Sequence, residues 1–478
     1  MDAGLKQHRL PLAVDLDGTL ISTDLLWESI FLLLKKNIFF VFLLPVWALS
    51  GKARLKCEIA KRVTLDAALL PYREDFLAYL RKEHGAGRPI VLATASARPF
   101  AEAVAAHLGI FQAVYSTEEN RNLAAQAKTD LLIEAYGKSG FDYAGNSRAD
   151  IPVFAAANDT VVVAPDRAAA RWQRGKGARL FPAAPASWKT YARMLRMHQW
   201  LKNLLVFVPA ILAHEITRPT VLLGAVLAFI AFSVTASAIY IINDMIDLPL
   251  DRLHPRKRSR PFASGAVSIP VGLAVSMLLL VIAGLIAMKL PIEFGIVLFA
   301  YLVTTTAYSL AIKRMLLIDV LCLAALYTLR LLGGMAASVI DQSFWLMAFS
   351  IFFFLSLALV KRYVELQNST VMEKDRIAGR GYRPEDREII GQSGVASGFA
   401  AVLVLALYIN SEAVRTLYVY PWLVWPLCPI VLYINVRIWI LARRGEMHDD
   451  PVVFMITDWR SQLVIAFGAF LLLVSGMR

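Results

Sequence analysis

Three aspartates near the middle of the sequence have a spacing that suits metal chemistry. Asp244, Asp247 and Asp251 recur at intervals of three and four residues, which on a continuous helix places them on one face, where their like charges repel. Mg²⁺ binds carboxylates together with substrate phosphates. The basic segment 254–261 follows directly and could clamp departing phosphate charge. We therefore predict a magnesium–diphosphate site, with an ordinary juxtamembrane polar loop as the alternative.

A second acidic pair lies near the N-terminus. Asp15 and Asp17 directly follow a short apolar run, so they are expected at the carboxyl end of a strand, where open α/β sheets bind ligands. Such a pair can supply a nucleophile and a general acid. Thr94 ends another apolar run, and Lys128 and the segment 143–150 follow. The order predicts a parallel-sheet domain with its site at the strand ends.

The composition divides the chain into two parts. Of its 478 residues, 58% are hydrophobic and 18% are charged, compared with about 45–50% and about 25% in soluble domains, which excludes an entirely soluble protein. Charged residues are frequent up to about residue 185 and sparse beyond it. A soluble domain followed by a polytopic membrane domain is expected. The three cysteines show no spacing typical of a disulfide framework or a zinc site.

Apolar runs near the ~20 residues that span a bilayer recur from Arg196 onward. The loops on one side of the predicted membrane domain carry most of its Lys and Arg, which assigns that side to the cytoplasm. Met1–Arg9 lacks the apolar core of a signal peptide, so the first domain is expected on the same side. The nine predicted spans are 196–213, 220–242, 268–288, 292–312, 316–338, 343–364, 393–411, 419–441 and 461–477.

The acidic motif and the basic pattern after it resemble the first signature of the UbiA superfamily of intramembrane prenyltransferases, and the resemblance covers residues 190–478. The segment Arg196-x-His198-Gln199-Trp200-Leu201-Lys202-Asn203 is similar to that family's first helix, and nine helices is its usual number. The resemblance implies that the motif binds Mg²⁺ and a diphosphate, with Asp244 and Asp247 as catalytic residues. The implied metal ligands are Asn243, Asp244, Asp247 and Asp251.

The second acidic signature of that superfamily is altered. In Tyr308-Ser309-x-x-x-Lys313 followed by Ile318-Asp319-Val320, a cation stands where a carboxylate is usual. This pattern and Lys361-Arg362-Tyr363-x-Glu365-Leu366 resemble the decaprenyl-phosphate phosphoribosyltransferases, which use phosphoribosyl pyrophosphate and a polyprenyl phosphate. The resulting substrate-binding candidates are Lys202, Asn203, Arg256, Lys257, Arg260, Tyr308, Lys313, Asp319, Arg330, Lys361 and Arg362.

Two of these assignments have alternatives. Lys361 and Arg362 would also serve as anchors of a helix end at the membrane surface. Asp319 and Arg330 lie on nearly the same helix face, so the alternative to a role in the substrate cavity is a structural arrangement of the two. Their separation of about 16 Å along the helix axis is too long for a direct ion pair.

The N-terminal motifs resemble the four motifs of the haloacid dehalogenase superfamily, over about residues 10–182. This resemblance implies Asp15 as the nucleophile, Asp17 as the general acid and base, and Thr94 and Lys128 as phosphoryl-binding residues. It also implies that Asp150 helps to hold Mg²⁺. Asn146 replaces a usual aspartate, so an inactive scaffold stays open beside an active phosphatase. The implied metal ligands are Asp15, Asp17, Asn146 and Asp150.

The predicted organisation is an α/β Rossmann-like domain at 10–182 with a helical cap at about 24–80, a basic linker at 183–195, and an all-α membrane domain at 196–478. The apolar cap segment 29–50 either forms a buried helix pair or dips into lipid as an amphipathic surface. The partners expected are the bilayer of a bacterial-type inner membrane, an isoprenoid lipid phosphate and a diphosphate donor, with no nucleic acid.

Three functions remain open from the sequence. The first is transfer of phosphoribose to a polyprenyl phosphate, with the N-terminal domain removing the 5-phosphate from the lipid product. The second is transfer of a prenyl group from a polyprenyl diphosphate to an aromatic or other small acceptor. The third is a transporter or lipid-binding protein with a regulatory dehalogenase-like module.

Overall fold

The computed structural model describes residues 9–119, 121–183, 187–369, 381–447 and 450–476. The chain forms two compact units. The sheet unit comprises residues 1–194 and 241–275, and the helical unit comprises 195–240 and 276–478. The segment that carries the acidic motif therefore belongs to the sheet unit. Parts of several predictions lie outside the described residues: the N-terminal segment 1–8, linker residues 184–186, loop residues 370–380 and 448–449, and residue 477 of the last span.

The sheet unit contains six parallel strands in the order β3-β2-β1-β4-β5-β6. The central strand β1 pairs with β2 on one side and β4 on the other, with Leu12 opposite Ile90 and Asp142. Chain connections diverge in opposite directions from this point, which is where open α/β sheets bind ligands. The predicted α/β class is confirmed. The strands are β1 (Leu12–Val14), β2 (Ile90–Ala97), β3 (Ala113–Thr117), β4 (Asp142–Gly145), β5 (Thr160–Val163) and β6 (Arg179–Phe181).

Helices cover both faces of this sheet, which explains why its four central strands are largely buried. Leu12 and Val14 belong to the core on one face and Ala13 to the core on the other, as expected for a parallel sheet covered on both sides. The α-helices of this unit are Leu25–Lys36, Leu43–Leu49, Lys52–Ala60, Glu74–Gly85, Arg98–Leu108, Gln126–Tyr136, Ile151–Ala156, Arg167–Lys176, Trp188–Met194 and Leu248–Leu253. Its 3-10 helices are Ile38–Phe42, Ala67–Leu69, Arg148–Asp150 and Lys257–Ser259.

The apolar cap segment is not a fully buried helix pair. Phe39, Phe42 and Leu49 are 70%, 72% and 90% exposed, whereas Trp47 packs inward with the cap core. The stretch Ile38–Leu49 therefore presents an apolar surface, which is the pattern of a segment that lies in a membrane interface.

Eight helices in the described part of the chain are long and apolar enough to cross a membrane. They are Pro219–Ile246, Ile269–Ala287, Ile292–Leu310, Ile318–Ser338, Phe344–Asn368, Pro384–Ile409, Pro421–Arg443 and Trp459–Gly476. The shorter elements of the helical unit are the α-helices Val208–Leu212, Glu412–Leu417 and Pro451–Thr457, and the 3-10 helices Met197–Phe207 and Ile312–Arg314.

The predicted first span, 196–213, is not among these eight. It consists of the 3-10 helix Met197–Phe207 followed by the α-helix Val208–Leu212. A 3-10 helix rises about 2.0 Å per residue, so the two together extend about 30 Å, close to the thickness of a bilayer's hydrocarbon core. The ninth span stays a prediction.

Candidate active sites

A pocket of about 520 Å³ in the sheet unit gathers most of the N-terminal site residues. Asp15, Asp17, Lys128, Asn146 and Asp150 all line it. Asp15 and Asp17 follow β1, and the loop with Asn146 follows β4, the strand beside it. The ends of two adjacent parallel strands thus bring together residues that are far apart in the sequence.

Asp15 and Lys128 form a buried ion pair in this pocket. The Lys128 Nζ lies 2.8 Å from an Asp15 oxygen and 3.5 Å from Asp150. Burial raises the pKa of Asp15 to about 6, against the opposing charge of Lys128. Although burial disfavours the ammonium, Asp15 and Asp150 raise the pKa of Lys128 above its ordinary value. The lysine therefore stays charged beside Asp15, where it can also bind an anionic group.

Asp17 has a different environment, which suits proton transfer. Its two oxygens accept hydrogen bonds from the Leu25 amide at 2.8 Å and from the Ser96 hydroxyl. Burial, together with the charge of Asp24, raises the pKa of Asp17 to about 7. A carboxyl group with a pKa near neutral can both donate and accept a proton at working pH.

Thr94 lies behind the pocket. It is fully buried, and its hydroxyl accepts the Ser96 amide at 3.0 Å, whereas Ser96 itself lines the pocket. The structure therefore places Ser96, two residues further along the chain, where the sequence placed Thr94. Because a strand alternates its faces, both residues point the same way from β2. Both are buried, and Ser96 is the one that lines the pocket.

The donor set around Asp15 and Asp17 fits a magnesium ion. Asn146 packs against Gly18, the residue after Asp17, so closely that an added Cβ would come within 2.2 Å of the amide nitrogen, and the amide lines the same pocket as the two carboxylates. Asp150 is engaged differently: one oxygen accepts the Tyr143 hydroxyl at 2.7 Å, and the other accepts the Asn146 and Ser147 amides. Across the described residues, no three Asp, Glu, His or Cys side chains already converge as a metal-binding group.

The acidic motif at 244–251 is not on one continuous helix, so this part of the spacing prediction is wrong. Pro219–Ile246 ends before Asp247, which is the N-cap of Leu248–Leu253. Pro249, in the first turn of the new helix, has no amide hydrogen to continue the earlier one. The break nevertheless keeps Asp244 and Asp251 together.

A single guanidinium bridges two members of this motif. Arg260 Nη1 lies 3.1 Å from Asp244 and 2.7 Å from Asp251, and both aspartates are buried. Two buried carboxylates that converge on one cation form a donor pair suited to Mg²⁺. Asp247 instead pairs with Lys35 of the cap at 2.9 Å, and Asn243 is half-buried. Arg256 and Lys257 are exposed, whereas Arg260 contacts Asp244 and Asp251.

In the helical unit, Asp450, which the sequence did not indicate, forms ion pairs with two of the predicted substrate-binding lysines. Asp450 lies 2.7 Å from Lys202 and 3.6 Å from Lys361, and Tyr327 donates its hydroxyl to it at 3.2 Å. Although burial disfavours its charge, Lys202 and Lys361 hold the pKa of Asp450 well below its ordinary value. The only local signal was a helix start, because Asp450 precedes Pro451 and caps Pro451–Thr457.

Arg330 is buried in a second polar cluster of the helical unit. Its Nε donates to the Asn203 side chain at 2.7 Å, and its Nη2 donates to the Tyr301 hydroxyl at 3.0 Å. Asn203 in turn donates to Ser233 at 3.0 Å. The two predicted residues Asn203 and Arg330 therefore meet directly, although 127 positions separate them.

Asp319 does not pair with Arg330 but with Arg362. The two side chains are fully buried and 2.6 Å apart, and Tyr382 donates its hydroxyl to the same aspartate. Arg362 also contacts Glu365. Arg362 is therefore part of a buried ion network and not an anchor at the membrane surface. Tyr308 and Lys313 are half-buried.

The two units together define an enzyme with a parallel-sheet hydrolase-type pocket and a set of membrane-spanning helices. The model of the UbiA prenyltransferase family matches residues 204–473, more than half of the chain, and that of the haloacid dehalogenase-like hydrolases matches residues 12–155. The chain belongs to the UbiA prenyltransferase family and carries an N-terminal haloacid dehalogenase-like hydrolase domain. The predicted resemblances to the UbiA and haloacid dehalogenase superfamilies are confirmed.

Known proteins similar to this chain differ in how much of it they cover. The uncharacterized protein y4nM of Sinorhizobium fredii is 36% identical over 98% of this chain and 92% of its own. A decaprenyl-phosphate phosphoribosyltransferase of Mycolicibacterium smegmatis is 34% identical over 37% of this chain and 56% of its own. A UbiA homolog from Archaeoglobus fulgidus, solved with GPP and Mg²⁺, is 16% identical, with a TM-score of 0.47 over 60% of this chain and 99% of that one.

Proposed function

We propose that the membrane domain transfers phosphoribose from phosphoribosyl pyrophosphate to a polyprenyl phosphate. The observation that carries this proposal is the state of Asp319, the one carboxylate left in the altered second motif. It is fully buried against Arg362 and accepts the Tyr382 hydroxyl, so it is committed to an internal ion pair. Without a free carboxylate there, this motif would not bind a second Mg²⁺ for a prenyl diphosphate.

The reaction exchanges one bond at the anomeric carbon of the ribose. The bond between this carbon and the diphosphate oxygen breaks, a bond to an oxygen of the lipid phosphate forms, and inorganic diphosphate leaves. Mg²⁺ held by Asp244 and Asp251 would neutralise the developing charge on the diphosphate. Asn243 and Asp247 are its further proposed ligands, with Asp244 and Asp247 as the catalytic carboxylates, and Arg260 binds the leaving diphosphate.

Cationic side chains of the helical unit would bind the other phosphates. Lys202 and Lys361 already share Asp450, and Arg330 is held by Asn203 and Tyr301. We propose that these residues and Lys313 bind the acceptor phosphate and the 5-phosphate of the donor. The similarity to a decaprenyl-phosphate phosphoribosyltransferase supports this substrate pair.

We further propose that the sheet unit removes the 5-phosphate from the lipid product. Asp15 attacks the phosphorus and the ester P–O bond breaks, while Asp17 protonates the departing ribose oxygen. Water then attacks the aspartyl-phosphate and gives its proton to Asp17, which releases inorganic phosphate and restores Asp15. Lys128 binds the phosphoryl oxygens. Asp15, Asp17 and Asn146 would hold a Mg²⁺ ion, which would neutralise charge on the phosphoryl group. Asp150 positions Lys128 and the loop with Asn146.

The Lys and Arg residues of the loops indicate how the protein is oriented in the membrane. We propose that the protein resides in a bacterial inner membrane, with the sheet unit and the acidic motif on the cytoplasmic side.

A transfer assay tests the membrane reaction. Purified full-length protein would be supplied with Mg²⁺, polyprenyl phosphate and phosphoribosyl pyrophosphate labelled in the ribose. We expect labelled lipid and an equal amount of diphosphate, both lost in Asp244→Asn. No labelled lipid would contradict the proposal. Release of diphosphate from a polyprenyl diphosphate with an aromatic acid would instead establish prenyl transfer, the second candidate, which the family match favours.

A further inference from the structure

The pocket around Asp15 and Asp17 is not built from the N-terminal domain alone. Gly265, Ser268, Ile269 and Pro270 also line it. Gly265 lies 14 positions after Asp251, the last aspartate of the acidic motif, and Ile269 and Pro270 begin the membrane-spanning helix Ile269–Ala287. We call residues 265–270 the pocket wall. One side of the hydrolase pocket thus comes from the sequence of the transferase.

An ion pair fastens the pocket wall to the cap. Glu28 and Arg252 form two contacts, at 2.5 and 2.9 Å, and their side chains are only 4% and 7% exposed. The Nε of the same arginine donates to the Ala263 carbonyl at 3.0 Å. Arg252 therefore connects the cap helix Leu25–Lys36 to the turn that immediately precedes the wall.

The backbone at the start of the pocket wall lies very close to Ser22 of the N-terminal domain. Gly265 has a φ of +71°, and a Cβ there would lie 2.1 Å from the Ser22 hydroxyl. The Ser22 hydroxyl donates to the Ser264 carbonyl at 3.3 Å. Only glycine allows both this backbone conformation and this distance. The start of the pocket wall therefore packs directly against Ser22, which also lines the pocket.

The other end of the wall leads into the bilayer. Ile269 is the first residue of Ile269–Ala287, one of the eight candidate spans. The ends of a membrane-spanning helix lie at the level of the lipid headgroups. With Ile269–Ala287 across a bilayer, a pocket lined by this helix end would lie at the level of the lipid phosphates.

We infer that the pocket wall selects a phosphate monoester carried by a membrane lipid, and that the Glu28–Arg252 pair positions this wall. The inference rests on the proposed hydrolase activity and deepens it, since it names the residues that select the lipid substrate over a soluble one. Glu28 and Arg252 are positioning residues, because they hold the wall without lining the pocket.

Charge reversal tests the inference in the full-length protein. Glu28→Arg and Arg252→Glu would be compared with the double variant that carries both reversals. Each variant would hydrolyse two substrates: a 5-phosphoribosyl polyprenyl phosphate in phosphatidylcholine vesicles, and soluble para-nitrophenyl phosphate. We expect each single reversal to raise KM for the lipid substrate by about ten-fold, with kcat for the soluble ester within about two-fold.

The double reversal and a matched control distinguish positioning from general damage. The reversed pair should recover most of the lipid KM, because a Glu and an Arg again face each other. Glu102→Arg, which reverses an exposed partner of Arg98 in the same unit, should leave both substrates unaffected.

Two results would overturn the inference in distinguishable ways. If the unmodified protein hydrolyses both esters and the single reversals change them equally, the wall does not select the lipid and only this inference is wrong. If the unmodified protein hydrolyses neither ester, the proposed hydrolase activity is wrong and the inference falls with it.

Discussion

At the scale of single residues, the same side-chain types have opposite uses in the two units. Asp15 and Asp17 line an accessible pocket, and burial raises their pKa values to about 6 and about 7. Asp319 is fully buried against Arg362. The first two carboxylates are available for chemistry, whereas the third stabilises the helices around it.

The Asp319–Arg362 pair predicts an asymmetric mutational result. Arg362→Met leaves a buried aspartate without its partner and should lower the free energy of unfolding by about 3–5 kcal/mol. The double variant Asp319→Asn/Arg362→Met should recover much of this loss, because it leaves no charge at the fully buried position 319. Glu365, the other partner of Arg362, is 30% exposed and can be solvated. Thermal unfolding in detergent measures both. A double variant as unstable as the single one would contradict the assignment of this pair to structure.

At the scale of elements, helix packing and membrane contact account for two features of the sequence. Small residues allow helices to approach closely: a Cβ at Gly394 would lie 2.0 Å from the Trp439 ring. Conversely, Ile38–Leu49 in the cap exposes large apolar side chains. The first feature serves contacts between helices, and the second suits contact with lipid.

The glycine contact predicts a difference between two helical positions. Gly394→Ala would force the Trp439 ring to move and should cost about 1–3 kcal/mol. Gly284→Ala, at a helical position with no other atom within 4 Å of the added carbon, should be neutral or stabilising by up to about 1 kcal/mol. Thermal unfolding of the two variants in the same detergent gives the comparison. Equal destabilisation would contradict the packing described here.

The exposed cap segment predicts a depth in the bilayer. A spin label at Phe42→Cys, in the full-length protein in nanodiscs, should be accessible to oxygen and protected from a water-soluble nickel complex. A label at the exposed Glu102→Cys in the same unit should show the reverse. If the label at position 42 meets the nickel complex as freely as that at position 102, the segment does not lie in lipid.

Periodicity and strand-end motifs were sufficient to predict the elements, but not the pairing between them. The sequence predicted the parallel sheet, the clustering of Asp15, Lys128 and Asn146, and nine apolar spans, of which eight are long and apolar helices in the described part of the chain. It did not predict the ion pair between Asp319 and Arg362 or the one between Asp450 and Lys202. Such partners lie tens to hundreds of positions apart, and only the packing of the helices decides which charges meet.

The one local error has a similar cause. The aspartate spacing assumed a continuous helix, but the helix ends at Ile246, and Pro249 lies in the first turn of the next helix. The proline was visible in the sequence. The return of Arg260 to bridge Asp244 and Asp251 was not, because it depends on the path of the whole 252–260 loop.

At the scale of the whole molecule, the central claim is that one chain catalyses two consecutive reactions on the same lipid. The claim requires that the product of the membrane reaction be the substrate of the hydrolase domain. A donor labelled with ¹⁴C in the ribose and ³²P in the 5-phosphate follows both steps at once.

The decisive measurement is the ratio of the two labels in the lipid product. With polyprenyl phosphate and Mg²⁺, the unmodified protein should give lipid that contains ¹⁴C but has lost its ³²P to inorganic phosphate. Asp15→Asn should give lipid that retains both labels in equal amounts, at an unchanged rate of ¹⁴C transfer. Lipid that retains its ³²P equally in both proteins would contradict the account.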